Sequence, residues 1–252
     1  WLGEDFFPSA DVGQFKLHLR AKTGTRIEET ARLCDLVEAS IRRHIQHDNL
    51  ASVLDIVGLP FSSINTIYGN SAPIGSGDAD IFVSLNPGQR STPEYVRELR
   101  ASLPREFPGT EFYFLPSDIV TQILNFGLPA PIDVELVGRD TEANRVLADR
   151  MLNQLRRVPG IADLRIHQRF DQPRLELEAD RIKAIQSGFT QRDLANSLLV
   201  TLNGSFQTQP TYWLNPATGV TYNLVTQTPQ YDVQTVQDIR NIPLRAQPDG
   251  TP

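Results

Sequence analysis

The acidic pair in the stretch GSGDAD is the first candidate for chemistry in this sequence. Asp78 and Asp80 closely follow Gly75 and Ser76, and two such carboxylates could hold magnesium through oxygen ligands for nucleotidyl transfer. The known arrangement for that chemistry places the Gly-Ser pair at a helix start well before the carboxylates, whereas here they abut. We therefore interpret Asp78 as a turn residue ahead of a strand and expect no enzyme activity.

Metal ligands are the second possibility. His44 and His47, with Asp48 beside them, could bind zinc at a helix end. The same residues also suit an exposed last helical turn, where a partly charged His favours the helix dipole. Soft metals would need thioether or thiolate ligands, but Met151 and Cys34 lie far apart in sequence, and Cys34 falls on the apolar stripe of a predicted helix. We assign no metal site and no cofactor.

A third group of residues is suited to binding apolar molecules. The stretch EFYFLPSDIVTQILNFGLPAPIDVEL, residues 111–136, gathers aromatic side chains among prolines. Phe112 and Phe114 lie two apart on a predicted strand and share one face, while Tyr113 points to the other. An aromatic cleft with few polar groups would suit bulky amphipathic guests. The alternative is that both Phe residues pack under their own helices.

Composition restricts the class of partner. The 252 residues are 40% hydrophobic and 21% charged with a net charge of -6, which is typical of a globular protein and argues against nucleic acid. The uncharged run LANSLLVTLNG falls well short of the roughly 18 to 20 apolar residues that span a bilayer. The chain starts at Trp1 without a signal region, so we expect it to be processed or excised from a longer protein.

The elements that position these residues repeat one order along the chain. Strands are predicted at 14–20, 51–58, 79–86 and 110–115, with helices at 25–45 and 91–106, in the order β-α-β-β-α-β. A second unit starts with strands at 132–138, 161–170 and 173–179 and helices at 141–157 and from Thr190, but its last strand is missing. A hairpin around NPATG and a short helix near 233–240 follow instead.

The predicted fold class is therefore α+β, with tandem ferredoxin-like units and a mixed, mainly β insertion in the second. We place the domains at 1–128, 129–203 (incomplete) and 204–252. Because the second unit is not closed, some strand edge is expected to lack a neighbour.

Four segments resemble the second large periplasmic loop of the resistance-nodulation-division (RND) efflux permeases, the inner-membrane pumps of Gram-negative tripartite exporters. They are GEDFFPSADVGQFKLHLRAKTGTRIEET, FPGTEFYFLPSDIVTQILNFGLPAPIDVELVG, VPGIADLRIHQ and LNGSFQTQPTYWLNPATGVTYNLVTQTPQY, in the order and spacing of that family. The resemblance implies two porter subdomains of ferredoxin-like fold, with part of a docking domain inserted in the second.

The same resemblance implies a function. The chain would be the periplasmic substrate-entrance and transport portion of a proton-driven antiporter that exports hydrophobic or amphipathic compounds, as in multidrug resistance. Its implied partners are the transmembrane helices and first periplasmic loop of the permease, two further copies in a homotrimer, a periplasmic adaptor and an outer-membrane channel. The alternatives are a heavy-metal exporter of the same family, or a stand-alone periplasmic binding or scaffold domain.

Site residues also follow from the resemblance. In the family the cleft between the two porter subdomains admits substrate, which implies a lining by the seam residues Phe112, Phe114, Asp118, Gln122 and Phe126. The loop 58–80 would correspond to a flexible loop between two drug pockets, with apolar candidates Phe61, Ile64, Tyr68 and Ile74. In the insertion, the side chains predicted to dock partners are Tyr212, Trp213 and Tyr222.

Overall fold

The computed structural model describes residues 11–59, 75–87, 90–115, 117, 128 and 130–244. The chain divides into two compact units, residues 1–174 and 175–252. Within the described ranges, every helix is too short or too polar to cross a membrane.

The first unit contains a four-stranded antiparallel sheet and two helices that connect its strands. The elements are β1 (Gln14–Arg20), α1 (Ile27–His44), β2 (Leu50–Val57), β3 (Asp78–Leu85), α2 (Thr92–Glu106) and β4 (Glu111–Leu115). The strands pair in the order β2-β3-β1-β4, and α1 and α2 connect β1 to β2 and β3 to β4. The predicted β-α-β-β-α-β order of the first ferredoxin-like unit is confirmed.

The core lies between one face of this sheet and the two helices. Alternate residues of β1 supply Phe15, Leu17 and Leu19 to that face, as the strand period of two requires. The helices contribute side chains at helical spacing, among them Cys34, Val37, Ile41, Leu99 and Leu103, all fully buried. The prediction that Cys34 is a core thiol is confirmed, and burial raises its pKa to about 12.

A residue far from α2 in sequence satisfies the first turn of that helix. The backbone N–H of Thr92 donates to Asp11 Oδ2 at 2.9 Å, and the Thr92 hydroxyl donates to Asp11 Oδ1 at 2.5 Å. Ser91 precedes the helix without a side-chain capping bond. The carboxylate therefore fastens the segment before β1 to the start of α2.

The second predicted unit has its helices but lacks its strands. Helix α3 (Thr141–Leu155) is the last helix of the first compact unit. Helices α4 (Arg181–Gln186) and α5 (Gln191–Asn203) lie in the second unit. The predicted strands at 132–138, 161–170 and 173–179 are wrong, since these segments form no strand pairing. A strand requires a neighbour for its backbone hydrogen bonds, and Ile132, Val134 and Val137 are instead exposed.

The second unit also carries the predicted hairpin and short helix, which are confirmed. Strands β5 (Thr211–Leu214) and β6 (Thr221–Leu224) pair antiparallel, and α6 (Val236–Arg240) follows them. Together the two units confirm the α+β class. The chain divides into its compact units after residue 174, and the domain boundaries after residues 128 and 203 stay a prediction.

Candidate functional site

The face of the sheet that turns away from α1 and α2 carries buried charges. Lys16, His18 and Arg20 alternate with the core residues of β1, and Asp78 and Asp80 do the same on the neighbouring β3. All five side chains are almost completely excluded from solvent. We call these five residues the buried charge ladder.

Each basic side chain of the ladder lies beside a carboxylate. Lys16 Nζ lies 3.0 Å from Asp80 Oδ2, and His18 Nδ1 lies 2.8 Å from Asp80 Oδ1. Arg20 Nε donates to Asp78 Oδ1 at 2.9 Å, and His18 Nε2 lies 3.6 Å from that same oxygen. Such pairing is needed because a buried charge without a counter-ion is strongly unfavourable.

Arg20 also holds the segment that covers the ladder. Its two terminal nitrogens donate to the carbonyl oxygens of Ile166 and His167, each at 3.2 Å. Arg169, from the same segment, approaches Asp78 Oδ1 at 3.9 Å. Ile166, His167 and Arg169 belong to the segment 161–170, which the sequence predicts to be a strand. Two of its backbone carbonyls accept hydrogen bonds from the Arg20 side chain, whereas in a sheet they would accept from a neighbouring strand.

A cavity of about 370 Å³ opens beside the ladder. Its floor comes from β1 and β4, and its walls come from α3 and residues 164–171, all within the first compact unit. Among the described residues, its basic side chains are Arg20, Lys22, Arg145, Arg156, Arg165 and Arg169, and its acidic ones are Glu111, Asp149 and Asp171. The lining therefore carries more positive than negative charge.

Tyr113 places an aromatic ring in this cavity. The ring stacks on His18 with centroids 6.1 Å apart, and the Arg165 guanidinium lies 5.1 Å from the Tyr113 centroid. Burial raises the pKa of Tyr113, and its hydroxyl donates to Glu111 at 2.5 Å, which raises that pKa further. The phenol is thus neutral at physiological pH and serves as an apolar surface with a fixed hydroxyl.

Two basic side chains of the segment 164–171 have a lowered pKa. Burial lowers the pKa of Arg165, and the nearby charge of Arg20 lowers it further. Burial also lowers the pKa of His167, with Arg165 and Arg20 adding to the effect. Both shifts have the sign expected when cations are crowded in a partly dehydrated space.

Phe112 and Phe114 lie on the opposite, helix-covered face. They are partly buried against the core, where Phe112 packs on Phe107 (centroids 6.1 Å apart) and Phe114 on Phe15 (5.9 Å). These contacts are those of packing residues, and their place in an entrance cleft stays a prediction. Tyr113, which lies between them, reaches the cavity.

The other seven predicted substrate residues lie outside the described residues. They are Asp118, Gln122, Phe126, Phe61, Ile64, Tyr68 and Ile74. In the hairpin, Tyr212, Trp213 and Tyr222 are about half exposed, and Trp213 lies on Tyr222 with centroids 5.9 Å apart. Their docking role stays a prediction.

Sequence reasoning missed the ladder and the arginines that cover it. A signal was present, since one strand alternates Lys, His and Arg with apolar residues while another alternates two Asp. Cations on one strand and carboxylates on another predict cross-strand pairs if the two strands are neighbours. The two histidines that the sequence offered as zinc ligands have different surroundings. His44 Nδ1 donates to the Ser40 carbonyl at 2.9 Å, and the side chain of His47 is fully exposed.

Comparison with known proteins gives several related molecules. "Protein HelA" from Legionella pneumophila is 25% identical over 211 residues, which is 81% of this chain and 19% of that protein. Two solved structures, crystal forms II and I of a heavy metal efflux pump, superpose with TM-scores of 0.70 and 0.72. At 21% identity they share the fold, and they cover 94% and 98% of this chain.

The chain is short relative to all three. It spans 19% of the length of HelA and 24% and 25% of the two crystallised pump chains. The family model described as the AcrB/AcrD/AcrF family matches residues 1–251, essentially the whole sequence. The chain therefore belongs to the AcrB/AcrD/AcrF family of RND efflux permeases.

Proposed function

We propose that this chain is the periplasmic substrate-entrance and transport portion of a proton-driven RND permease that exports amphipathic and hydrophobic compounds. The observation that carries the proposal is the cavity on the sheet face that α1 and α2 leave uncovered. Its volume of about 370 Å³ is of the size that takes one small organic molecule. The inner-membrane parent, its trimer, its adaptor and its channel belong to the same proposal and are supported by family membership.

The construction of the cavity suits passage better than chemistry. Its floor is a sheet with paired strands, whereas its wall at 164–171 is joined to β1 and the residues that follow it by side-chain bonds from Arg20 and Thr23. Such a wall can shift against the floor without breaking backbone hydrogen bonds between strands, as a shear movement requires. The guest would be moved and released unaltered.

Metal export is the second candidate, since two structures that share the fold are described as a heavy metal efflux pump. The charge of the cavity favours the first candidate. Six basic side chains against three acidic ones would repel a free divalent cation and attract a guest with negative charge.

Filling the cavity tests the proposal. Leu152 lines it, whereas Leu147, five residues earlier in α3, is exposed and does not. In the parent permease, Leu152→Trp should lower export of bulky amphipathic compounds about tenfold or more, because the indole occupies the space that the guest needs. Leu147→Trp is the matched control and should keep normal export.

Cells that produce each variant would be assayed for accumulation of a fluorescent amphipathic dye and for tolerance to zinc and copper salts, with the amount of permease measured by immunoblot. Loss of dye export in Leu152→Trp alone supports the proposal. Equal dye export in both variants contradicts it, and loss of metal tolerance alone would favour the second candidate.

A further inference from the structure

We propose that the cavity is an anion subsite, so that the exported compounds are amphipathic anions whose carboxylate, sulfonate or phosphate group binds among its arginines. This inference rests on the proposed function and narrows its substrate class.

The first argument is that the cations outnumber the available carboxylates. Asp78 already accepts from Arg20 at 2.9 Å and is approached by Arg169 at 3.9 Å. Asp171 lies 3.7 Å from Arg169 and also accepts the Thr23 hydroxyl. The side chains of these two arginines are only 7% exposed. Glu111 accepts the Tyr113 hydroxyl. An added oxyanion would complete the charge balance of a partly dehydrated cluster.

The second argument concerns a cation at the open side of the cavity. Arg156 follows the last residue of α3 and lines the cavity. Within the described part of the chain its side chain is exposed and makes no hydrogen bond or ion pair. The only acidic side chain that α3 contributes to the lining, Asp149, lies 3.6 Å from Arg145 instead. The fork of a guanidinium matches a planar or tetrahedral oxyanion with two parallel hydrogen bonds.

The third argument is the apolar surface next to these cations. The ring of Tyr113 and the side chains of Leu152 and Phe170 line the same cavity. A guest with an aromatic or aliphatic body and one anionic group can therefore satisfy both parts of the lining. A neutral guest would make no ion pair with the basic side chains of the lining, and a cationic guest would be repelled.

The test compares two dyes with the same aromatic body. N-phenyl-1-naphthylamine is neutral, and 8-anilino-1-naphthalenesulfonate is the same molecule with one sulfonate. Each is titrated into the 252-residue chain at low salt, and binding is followed by dye fluorescence. We expect the sulfonate to bind more tightly, and added sodium chloride to remove most of the difference.

Arg156→Gln and Arg157→Gln form a matched pair of variants. Both residues are exposed at the end of α3, but Arg156 lines the cavity and Arg157 does not. Arg156→Gln should weaken sulfonate binding about threefold to tenfold and leave the neutral dye unchanged, while Arg157→Gln should change neither. Circular dichroism and urea unfolding of both variants verify that the fold is kept.

Equal affinity of the wild-type chain for the two dyes, or equal loss in the two variants, overturns the anion subsite. Binding of the neutral dye without a preference for the sulfonate would leave the proposed function standing. If neither dye binds and Leu152→Trp changes nothing, the proposed function fails as well.

Discussion

At the scale of the residue, Asp80 is the carboxylate that two buried basic side chains contact. Lys16 Nζ lies 3.0 Å and His18 Nδ1 lies 2.8 Å from its two oxygens, and all three side chains are almost fully buried. Loss of this charge would leave a lysine ammonium in the protein interior opposite a neutral group. The carboxylate is therefore a structural counter-ion, in contrast to the catalytic metal ligand that its GSGDAD context could have indicated.

Asp80→Asn should lower the free energy of unfolding by about 3–5 kcal/mol, because it breaks a buried pair and leaves one partner in place. Urea unfolding at neutral pH measures the change. The control is Glu38→Gln, which removes one partner of the exposed pair with Arg42 (3.0 Å) and should cost about 1 kcal/mol or less. A loss in Asp80→Asn no larger than in the control would contradict the importance of the ladder.

At the scale of the element, the start of α2 depends on a residue that lies outside the helix. Asp11 accepts from the Thr92 backbone and side chain and from the Gly13 N–H, and the Thr92 hydroxyl is the main reason why its pKa is lowered from 3.8. A carboxylate at a helix N-terminus also interacts favourably with the helix dipole. The ion, rather than the acid, is the form that stabilises the fold.

Asp11→Ala should therefore reduce stability at neutral pH by about 0.5–2 kcal/mol, the usual range for a lost N-terminal cap. Because the folded pKa lies below the unfolded value, the contribution is complete above 3.8 and is lost as the pH falls through the folded pKa. Urea unfolding of variant and wild type over a pH series should show the two curves converging in acid. A difference that persists unchanged below the folded pKa would exclude the carboxylate as its source.

The elements differ in how far sequence could predict them. In β1 the alternation of Phe15, Leu17 and Leu19 predicts a strand with one buried face, and that face is observed. The same alternation places Lys16 and Arg20 on the other face but carries no information about what covers it. Their carboxylate partners and the covering segment lie about 60 and 150 residues away in sequence.

The strands that were predicted wrongly show the opposite case. In residues 132–138 the apolar side chains of Ile132 and Val134 are separated by one polar residue, as in a strand. Both side chains are nevertheless exposed, and the segment pairs with no strand. Local pattern reports a preference for extended backbone, whereas a strand also needs a partner at its edge. The cavity residues Arg165 and Arg169 come from another such segment. The sequence pattern assigns them to a strand and does not predict that they line the cavity.

At the scale of the whole molecule, the two compact units meet at an exposed, irregular stretch around Arg174. Exposed segments without backbone hydrogen bonds are the preferred sites of proteolysis. Brief treatment of the native chain with trypsin should therefore cut first after Arg174 and release residues 175–252, as mass spectrometry would show. First cleavage after Arg139, which is also exposed, would instead favour the predicted boundary at 128.

The buried charge ladder also restricts the register in which β1 pairs with β3. A slip of β1 by one residue is excluded because it would turn Leu17 and Leu19 away from the core. A slip by two residues keeps the leucines inside, but it would bring His18 opposite Phe82 or Asp78 instead of Asp80 and displace the other pairs as well. Hydrophobicity thus selects the face, and the order of the charges selects one alignment among those that hydrophobicity permits.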